Sequence, residues 1–116
     1  MWIMVAGPYT SGGADGARRA ANLRAMNEAA VALLRRGHVP VIGVNMALPM
    51  IEAAAAQGDG DQAFEEIMMP VSLALAERCD GVLRIGGPSK GADEELERFR
   101  ARGRPVWLSL DEVPAA

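Results

Sequence analysis

The fold class is decided by the run Trp2-Ile3-Met4-Val5-Ala6, which stops at Gly7-Pro8. A short apolar run bounded by turn residues is typical of a buried strand rather than a helix. Three further apolar runs follow at residues 39–44, 81–85 and 105–110, with helix-like segments between them. Strands separated by helices are parallel and joined by right-handed crossovers. The pattern therefore predicts an α/β fold: a single domain over residues 1–116, with an open parallel sheet of four to five strands, the first one central, flanked by helices in a Rossmann/flavodoxin-like arrangement.

The segments between the strands carry helical signals. The first helix should end at Gly37, and its apolar face is formed by Leu23, Met26, Ala30, Leu33 and Leu34. Residues 45–56 are predicted to form an irregular turn and then an Ala-rich helix, and residues 57–60 an exposed break. Asp61 should cap the next helix, and Pro70 should kink or split it.

Composition narrows the classes of partner. The chain has 116 residues, 50% of them apolar, a formal charge of −3 and no basic block, which favours a small-molecule partner over nucleic acid. No apolar run approaches the roughly 20 residues that span a bilayer, so we expect no membrane insertion. The single cysteine cannot form an internal disulfide and the chain opens without the pattern of a signal peptide, so a cytoplasmic protein is expected.

Ligands of open parallel sheets bind beyond the carboxyl ends of the strands. Two loops sit at such ends, residues 7–14 and residues 86–91, and the second runs into the helix predicted at residues 92–102. The free N–H groups at the start of that helix could bind a phosphate or carboxylate. Alternatively, the loop is a plain turn that Ser89 closes as a helix cap. Its spacing matches neither a Walker A loop nor GxGxxG, which disfavours nucleoside triphosphate hydrolysis and ordinary NAD binding.

Three acidic residues, Asp93, Glu94 and Glu95, follow this loop. Acids in a first helical turn can simply offset the helix dipole. Consecutive helix positions are about 100° apart, however, so one carboxylate can face the cleft while the others face water. A carboxylate held in such a cleft can attack an acetal-like carbon or act as a general acid or base.

Other reactive side chains carry weaker signals. The hydroxyl of Tyr9, just beyond the first strand, could reach a carboxylate at a neighbouring strand end or could pack on the surface. His38 lies towards the opposite edge of the sheet and is expected to be structural, while Cys79 lacks a His or Cys partner for metal or thiol chemistry. Four methionines are expected to fill the core: Met46, Met50, Met68 and Met69.

Several short motifs together resemble the nucleoside 2-deoxyribosyltransferase superfamily, above all its compact members that act on nucleoside 5′-monophosphates and related short uncharacterised domains. The matching segments cover nearly the whole chain: Val5-Ala6-Gly7-Pro8-Tyr9, Asn22, Gly37-His38-Val39-Pro40-Val41, Cys79-Asp80-Gly81 and Ser89-Lys90-Gly91-Ala92-Asp93-Glu94-Glu95. The most specific element is the spacing of Ser89, Gly91 and Glu95.

The resemblance implies a site. Glu95 would be the nucleophile that attacks the anomeric carbon of a (deoxy)ribosyl group, through a transition state with oxocarbenium character as in retaining glycosidases. Tyr9 would orient Glu95. The substrate-binding positions it implies are Gly7, Thr10, Gly12, Gly13, Arg19, Asn22, Ser89 and Gly91, with Arg18 as an alternative to Arg19. It implies no metal or organic cofactor, and a homodimer or higher homo-oligomer.

One position departs from the family pattern. Members commonly carry an aspartate about two helical turns before the Cys-Asp pair, and Ser72 falls near that position here. Protonation of the leaving base would then come from another group, such as Glu65, Glu66 or Asp80. The alternative is a nucleotide-binding or sensing module without turnover. A third hypothesis is a partner-binding domain whose acidic residues only cap a helix.

Overall fold

The computed structural model describes residues 1–10 and 15–116, except the side chains of Asp59 and Asp61. Strands and helices alternate in it as the sequence predicts. The elements are β1 (Trp2–Ala6), α1 (Gly16–Arg35), β2 (Val39–Val41), α2 (Gly43–Ala54), α3 (Gly60–Arg78), β3 (Gly81–Arg84), α4 (Lys90–Ala101) and β4 (Val106–Trp107). A π-helical segment, Ala55–Asp59, joins α2 to α3, and a 3₁₀ turn, Leu110–Glu112, follows β4.

The four strands form one parallel sheet in the order β2-β1-β3-β4, so β1 is an inner strand as predicted. In its register Ile3 pairs with Pro40 on one side and with Gly81 on the other. Ala6 pairs with Arg84, and the N–H of Ile85 donates to the carbonyl oxygen of Ala6 at 2.9 Å. The loops that follow β1 and β3 therefore start side by side.

Side chains of a strand alternate between the two faces of a sheet, so the apolar strands make both faces apolar. Helices cover both faces. Ile3 and Val5 pack with Met26 of α1 on one face. Met4 packs with Phe99 of α4 on the other. Each large apolar side chain fully buried in this way contributes roughly 1.5–3 kcal/mol. The α/β class and the flanking helices are confirmed.

The helix ends follow local chemistry. Asp15 caps α1, its Oδ1 accepting a hydrogen bond from the N–H of Arg18 at 2.8 Å. Beyond α1, Gly37 adopts a φ of +92°, which residues with a Cβ rarely tolerate. The exposed break at residues 57–60 is also confirmed, because Gly58 adopts a φ of +96° in the π-helical segment.

The second strand is shorter than predicted and no irregular turn precedes α2. Strand β2 ends at Val41 and α2 begins at Gly43, so the apolar residues 42–44 were wrongly assigned to the strand. Val44 is buried in the first turn of α2. A short apolar run fits a buried strand and a buried helical turn equally well, and here the contact of α2 with α3 decides.

Helix α3 differs from expectation at two residues. Of the two outcomes predicted for Pro70, a split is contradicted, because the helix is continuous from Gly60 to Arg78. Proline has no N–H, so the carbonyl oxygen of Glu66 loses its usual helical donor at Pro70. Both residues are exposed, so water can donate to that carbonyl instead. Asp61 is the second residue of α3 rather than its cap. The third and fourth strands are also shorter than the runs that predicted them, since β4 gives way to the 3₁₀ turn. No helix among the described residues is long and apolar enough to cross a membrane.

Candidate functional site

A cleft of about 260 Å³ opens at the carboxyl ends of β1 and β3. One wall comes from the loop after β1 and the start of α4, and the other from α2 and α3. The lining residues are Gly7, Tyr9, Thr10, Val44, Phe64, Met68, Met69, Ser72, Ser89, Lys90, Gly91, Ala92, Glu94 and Glu95. The cleft thus places Glu95 beside five other predicted site residues: Gly7, Tyr9, Thr10, Ser89 and Gly91.

Glu95 lies in the cleft because it is on the inward face of α4, with Ala92, Leu96 and Phe99. It is only 8% exposed, whereas Asp93 and Glu94 are exposed, so the three acids have separate environments as expected. Burial raises the pKa of the Glu95 carboxyl to about 8, and the positive charge of Arg84 opposes part of that rise. A carboxyl group with this pKa can exchange a proton near neutral pH.

Ser89 caps α4. Its Oγ accepts a hydrogen bond from the N–H of Ala92 at 3.2 Å, and its carbonyl oxygen accepts one from Asp93 at 3.0 Å. The conservative interpretation of Ser89 as a helix cap is therefore confirmed. The cap bond leaves the Ser89 O–H as a donor towards the cleft, together with the first N–H groups of α4, those of Lys90 and Gly91.

Two predicted glycines sit at close contacts. A Cβ on Gly7 would stand 3.1 Å from Cγ1 of Ile85 and 3.3 Å from its carbonyl oxygen, so Gly7 lets the two strand-end loops pack together. A Cβ on Gly91 would stand 3.3 Å from Sδ of Met69. Gly91 thus permits the close approach of α4 to α3 at the cleft.

Asn22 supports the cleft from outside. Its Nδ2 donates a hydrogen bond to the carbonyl oxygen of Tyr9 at 3.0 Å, which fastens the β1 loop to α1. Asn22 does not line the cleft, so the structure gives it a positioning role. No hydrogen bond joins the Tyr9 hydroxyl to Glu95 in the part of the chain that the structure describes, and the orienting role of Tyr9 stays a prediction.

Arg19 faces an adjoining cavity of about 410 Å³, lined by Tyr9, Thr10, Arg19, Leu48 and Phe64. Three of these residues, Tyr9, Thr10 and Phe64, also line the main cleft, so the two spaces adjoin. Arg19 can therefore reach a ligand that extends from one into the other. Gly12 and Gly13 lie outside the described residues.

None of the three suggested proton donors lies in the cleft. Asp80 is at the opposite end of the sheet, where its Oδ2 accepts a hydrogen bond from the N–H of Trp2 at 2.8 Å. The suggestion that Asp80 protonates the leaving base is therefore wrong. Glu65 and Glu66 are exposed on α3 and do not line the cleft. Ser72, by contrast, is in the cleft wall and 3% exposed. The position at which the sequence departs from the superfamily that it resembles therefore lies in the cleft.

Arg84, at the end of β3, was missed in the sequence. Its side chain is 10% exposed, and its Nε lies 3.2 Å from Oδ1 of Asp93 in α4. Its guanidinium also donates to the carbonyl oxygens of Ile85 and of Gly87, the latter at 2.9 Å. Arg84 therefore ties the β3 loop to the first turn of α4, but bonds to backbone carbonyls leave no pattern in a sequence.

The remaining expectations concern residues outside the cleft. His38 is buried, with Nε2 2.6 Å from the carbonyl oxygen of Pro114, and its structural role is confirmed. Burial raises the pKa of the Cys79 thiol to about 11, which leaves it inert as a nucleophile. Met46 and Met50 are exposed on the outward face of α2, so they do not fill the core. No cluster of potential metal ligands occurs among the described residues.

Fold and cleft define the class: an α/β protein with a buried carboxyl group in a cleft at the carboxyl ends of its parallel strands. The chain belongs to the family described as Domain of unknown function (DUF1937), which matches residues 1–110. No curated protein matches the chain significantly.

Proposed function

We propose that the protein cleaves or transfers the N-glycosidic bond of a nucleoside or nucleoside 5′-monophosphate through a glutamyl-glycosyl intermediate. The observation that carries this proposal is Glu95, a buried carboxyl group in the strand-end cleft, flanked by Ser89 and Gly91. The resemblance of the segment from Ser89 to Glu95 to the nucleoside 2-deoxyribosyltransferase superfamily supports it.

The environment of Glu95 suits attack on a sugar carbon. Cleavage of an N-glycoside passes through a transition state with oxocarbenium character, in which positive charge develops at the anomeric carbon. Inside a partly apolar cleft, a carboxylate stabilises that charge more strongly than it would in water. The same burial favours the neutral acid in the free protein. A ligand that brings positive charge next to Glu95 therefore also promotes its ionisation.

The remaining lining residues can place the substrate. The start of α4 and the Ser89 hydroxyl provide donors for the 5′ end of the sugar, which would set the anomeric carbon near Glu95. Phe64, Met68 and Met69 offer an apolar surface for the base. Arg19 and Thr10 would contact whatever extends into the adjoining cavity.

The wider setting belongs to the same proposal. We expect no metal or organic cofactor, because the proposed reaction needs only a carboxylate nucleophile. We also propose a homodimer or higher homo-oligomer, as the resemblance implies. A cytoplasmic location fits the single, buried, unpaired Cys79.

A nucleotide sensor is the second candidate, and Ser72 is the observation that favours it. The α3 wall presents a serine where a catalytic acid would be useful, so a nucleotide could bind without being cleaved. Binding would use the same residues as the proposed reaction. Only turnover separates the two.

The test incubates the protein with nucleosides and their 5′-monophosphates and follows free base by chromatography. Glu95→Gln should abolish base release, because the amide cannot form the glycosyl ester. Glu97→Gln is the matched control, since Glu97 is exposed on the same helix and does not line the cleft. Binding without release in the unmodified protein would favour the sensor. Equal release by the protein and Glu95→Gln would refute the nucleophile.

A further inference from the structure

We propose that the preferred substrate carries a base that is positively charged while it is attached to the sugar, such as a pyridinium or an N-alkylated purine. This inference rests on the proposed function and names the substrate class for the same site. It follows from the chemistry of the wall that faces Glu95.

The described residues of that wall offer no strong proton donor. The residues that α2 and α3 contribute to it are Val44, Phe64, Met68, Met69 and Ser72. Among these described residues none is a carboxyl or imidazole group, and the serine hydroxyl is too weak an acid to transfer a proton to a departing base. The other protic side chains of the described lining lie on the opposite wall, with Glu95; they are Tyr9, Thr10, Ser89, Lys90 and Glu94.

A neutral base and a charged base need different help to leave. When the bond between the anomeric carbon and nitrogen of a neutral base breaks, the electron pair makes the base an anion unless an acid protonates it. In a cationic base the same pair neutralises the existing charge, and the base departs as a neutral molecule. A site whose described residues supply a nucleophile and no facing acid therefore suits the cationic class.

The charges and rings of the lining also suit a cation. Two carboxyl groups of the described lining, Glu94 and Glu95, can carry negative charge, against one ammonium, Lys90, which is exposed at the mouth. Arg84, the other cation near Glu95, is engaged by Asp93 and backbone carbonyls. The faces of Phe64 and Tyr9 attract a delocalised cation by its charge.

The proposed reaction has two steps, and electrons and charge are conserved in each. The Glu95 carboxylate bonds to the anomeric carbon while the carbon–nitrogen bond breaks, and the base leaves with the electron pair and no charge. Water then attacks the anomeric carbon, the ester bond to Glu95 breaks to restore the carboxylate, and the proton of water passes to solvent. No oxidant, reductant or metal takes part.

The experiment uses pairs that differ in charge. 7-Methylguanosine 5′-monophosphate is compared with guanosine 5′-monophosphate, and nicotinamide mononucleotide with its neutral 1,4-dihydro form. We expect kcat/KM to favour the cationic member of at least one pair by on the order of 100-fold or more, the size of effect that a general acid would otherwise supply. Release should be lost in Glu95→Gln and kept in Glu97→Gln.

The outcomes separate the inference from the proposed function. If the neutral members of both pairs are cleaved within tenfold of the cationic ones, or faster, the bond cleavage stands and the charge preference is refuted. If no compound is cleaved, the proposed function fails, and the inference fails with it. Calorimetric titration of each pair with Glu95→Gln shows whether a methyl group merely blocks entry to the cleft.

Discussion

Gly43 and Ser72 touch so closely that a Cβ on Gly43 would stand 2.1 Å from the Oγ of Ser72. The first turn of α2 therefore rests directly on the helix that forms one wall of the cleft. The contact leaves room for only a small side chain at position 72. A larger acidic side chain there would have to displace α2 or extend into the cleft.

Gly43→Ala should destabilise the protein by about 1–3 kcal/mol, the usual effect of overpacking a tight contact. Gly16→Ala is the matched control, because a Cβ at Gly16 would have nothing within 4 Å. Equilibrium unfolding in urea measures both. Equal stability of Gly43→Ala and the unmodified protein would show that α2 and α3 are not held in the contact described.

Glu95 should make the protein less stable as the pH rises. Its pKa is about 8 in the folded chain against an ordinary value of 4.5, so between these values the folded state binds a proton that the unfolded state has lost. The free energy of unfolding therefore falls as the pH rises through this window and levels off above about pH 8. Glu95→Gln removes this dependence and should gain stability on the order of a few kcal/mol relative to the unmodified protein between pH 4.5 and pH 9.

Urea unfolding of the two proteins across that pH range gives the measurement. Glu97→Gln serves again as the control and should keep the slope of the unmodified protein. Parallel curves for the unmodified protein and Glu95→Gln would mean that Glu95 titrates like an exposed carboxyl group.

Arg84 should influence both the position and the ionisation of Glu95. Arg84→Met removes a positive charge that opposes the rise of the Glu95 pKa, so that pKa should move further up. Arg84→Lys keeps the charge but loses the multiple bonds to the β3 loop. Carboxyl NMR titration reports the pKa directly. If kcat/KM depends on ionised Glu95, its rise with pH should shift upwards in Arg84→Met and much less in Arg84→Lys.

Ser89→Asp should separate the cap of α4 from the binding of a phosphate. Aspartate caps helices about as well as serine, so stability should change by less than about 1 kcal/mol. Its negative charge, however, would repel a 5′-phosphate at the same N-terminus. We expect a rise in KM of roughly tenfold for a 5′-monophosphate, equivalent to about 1.4 kcal/mol, and a smaller rise for the nucleoside. An equal effect on both would place the 5′ end elsewhere.

The sequence predicts best where a residue's signal is local. The run from Trp2 to Ala6 and the helix that follows Ser89 are recognisable from their neighbours, and both are found close to their expected bounds. The separate environments of the three acidic residues are also predictable from the sequence, because helical geometry alone turns Glu95 away from Asp93 and Glu94.

Prediction failed where distant contacts decide. Residues 42–44 are apolar whether they extend a strand or begin a helix, and only the approach of Ser72 to Gly43 distinguishes the two. Met68 is part of the core, as its residue type predicts, but it also lines the cleft together with Met69, which residue type does not reveal. Arg84 acts mainly through backbone carbonyls, which every residue has, so nothing in the sequence marks its partners.

Pro40 limits strand pairing at one edge of the sheet, that of β2. The N–H of Val39 donates inward, to the carbonyl oxygen of Met1, so the backbone of the next residue, Pro40, turns towards the open side of β2. Proline has no N–H, and the strand is only three residues long. An incoming strand would thus find no donor at the centre of this border, which protects the sheet from fibre-like growth. The proposed homo-oligomer would therefore have to use surfaces other than this edge, such as the helical faces.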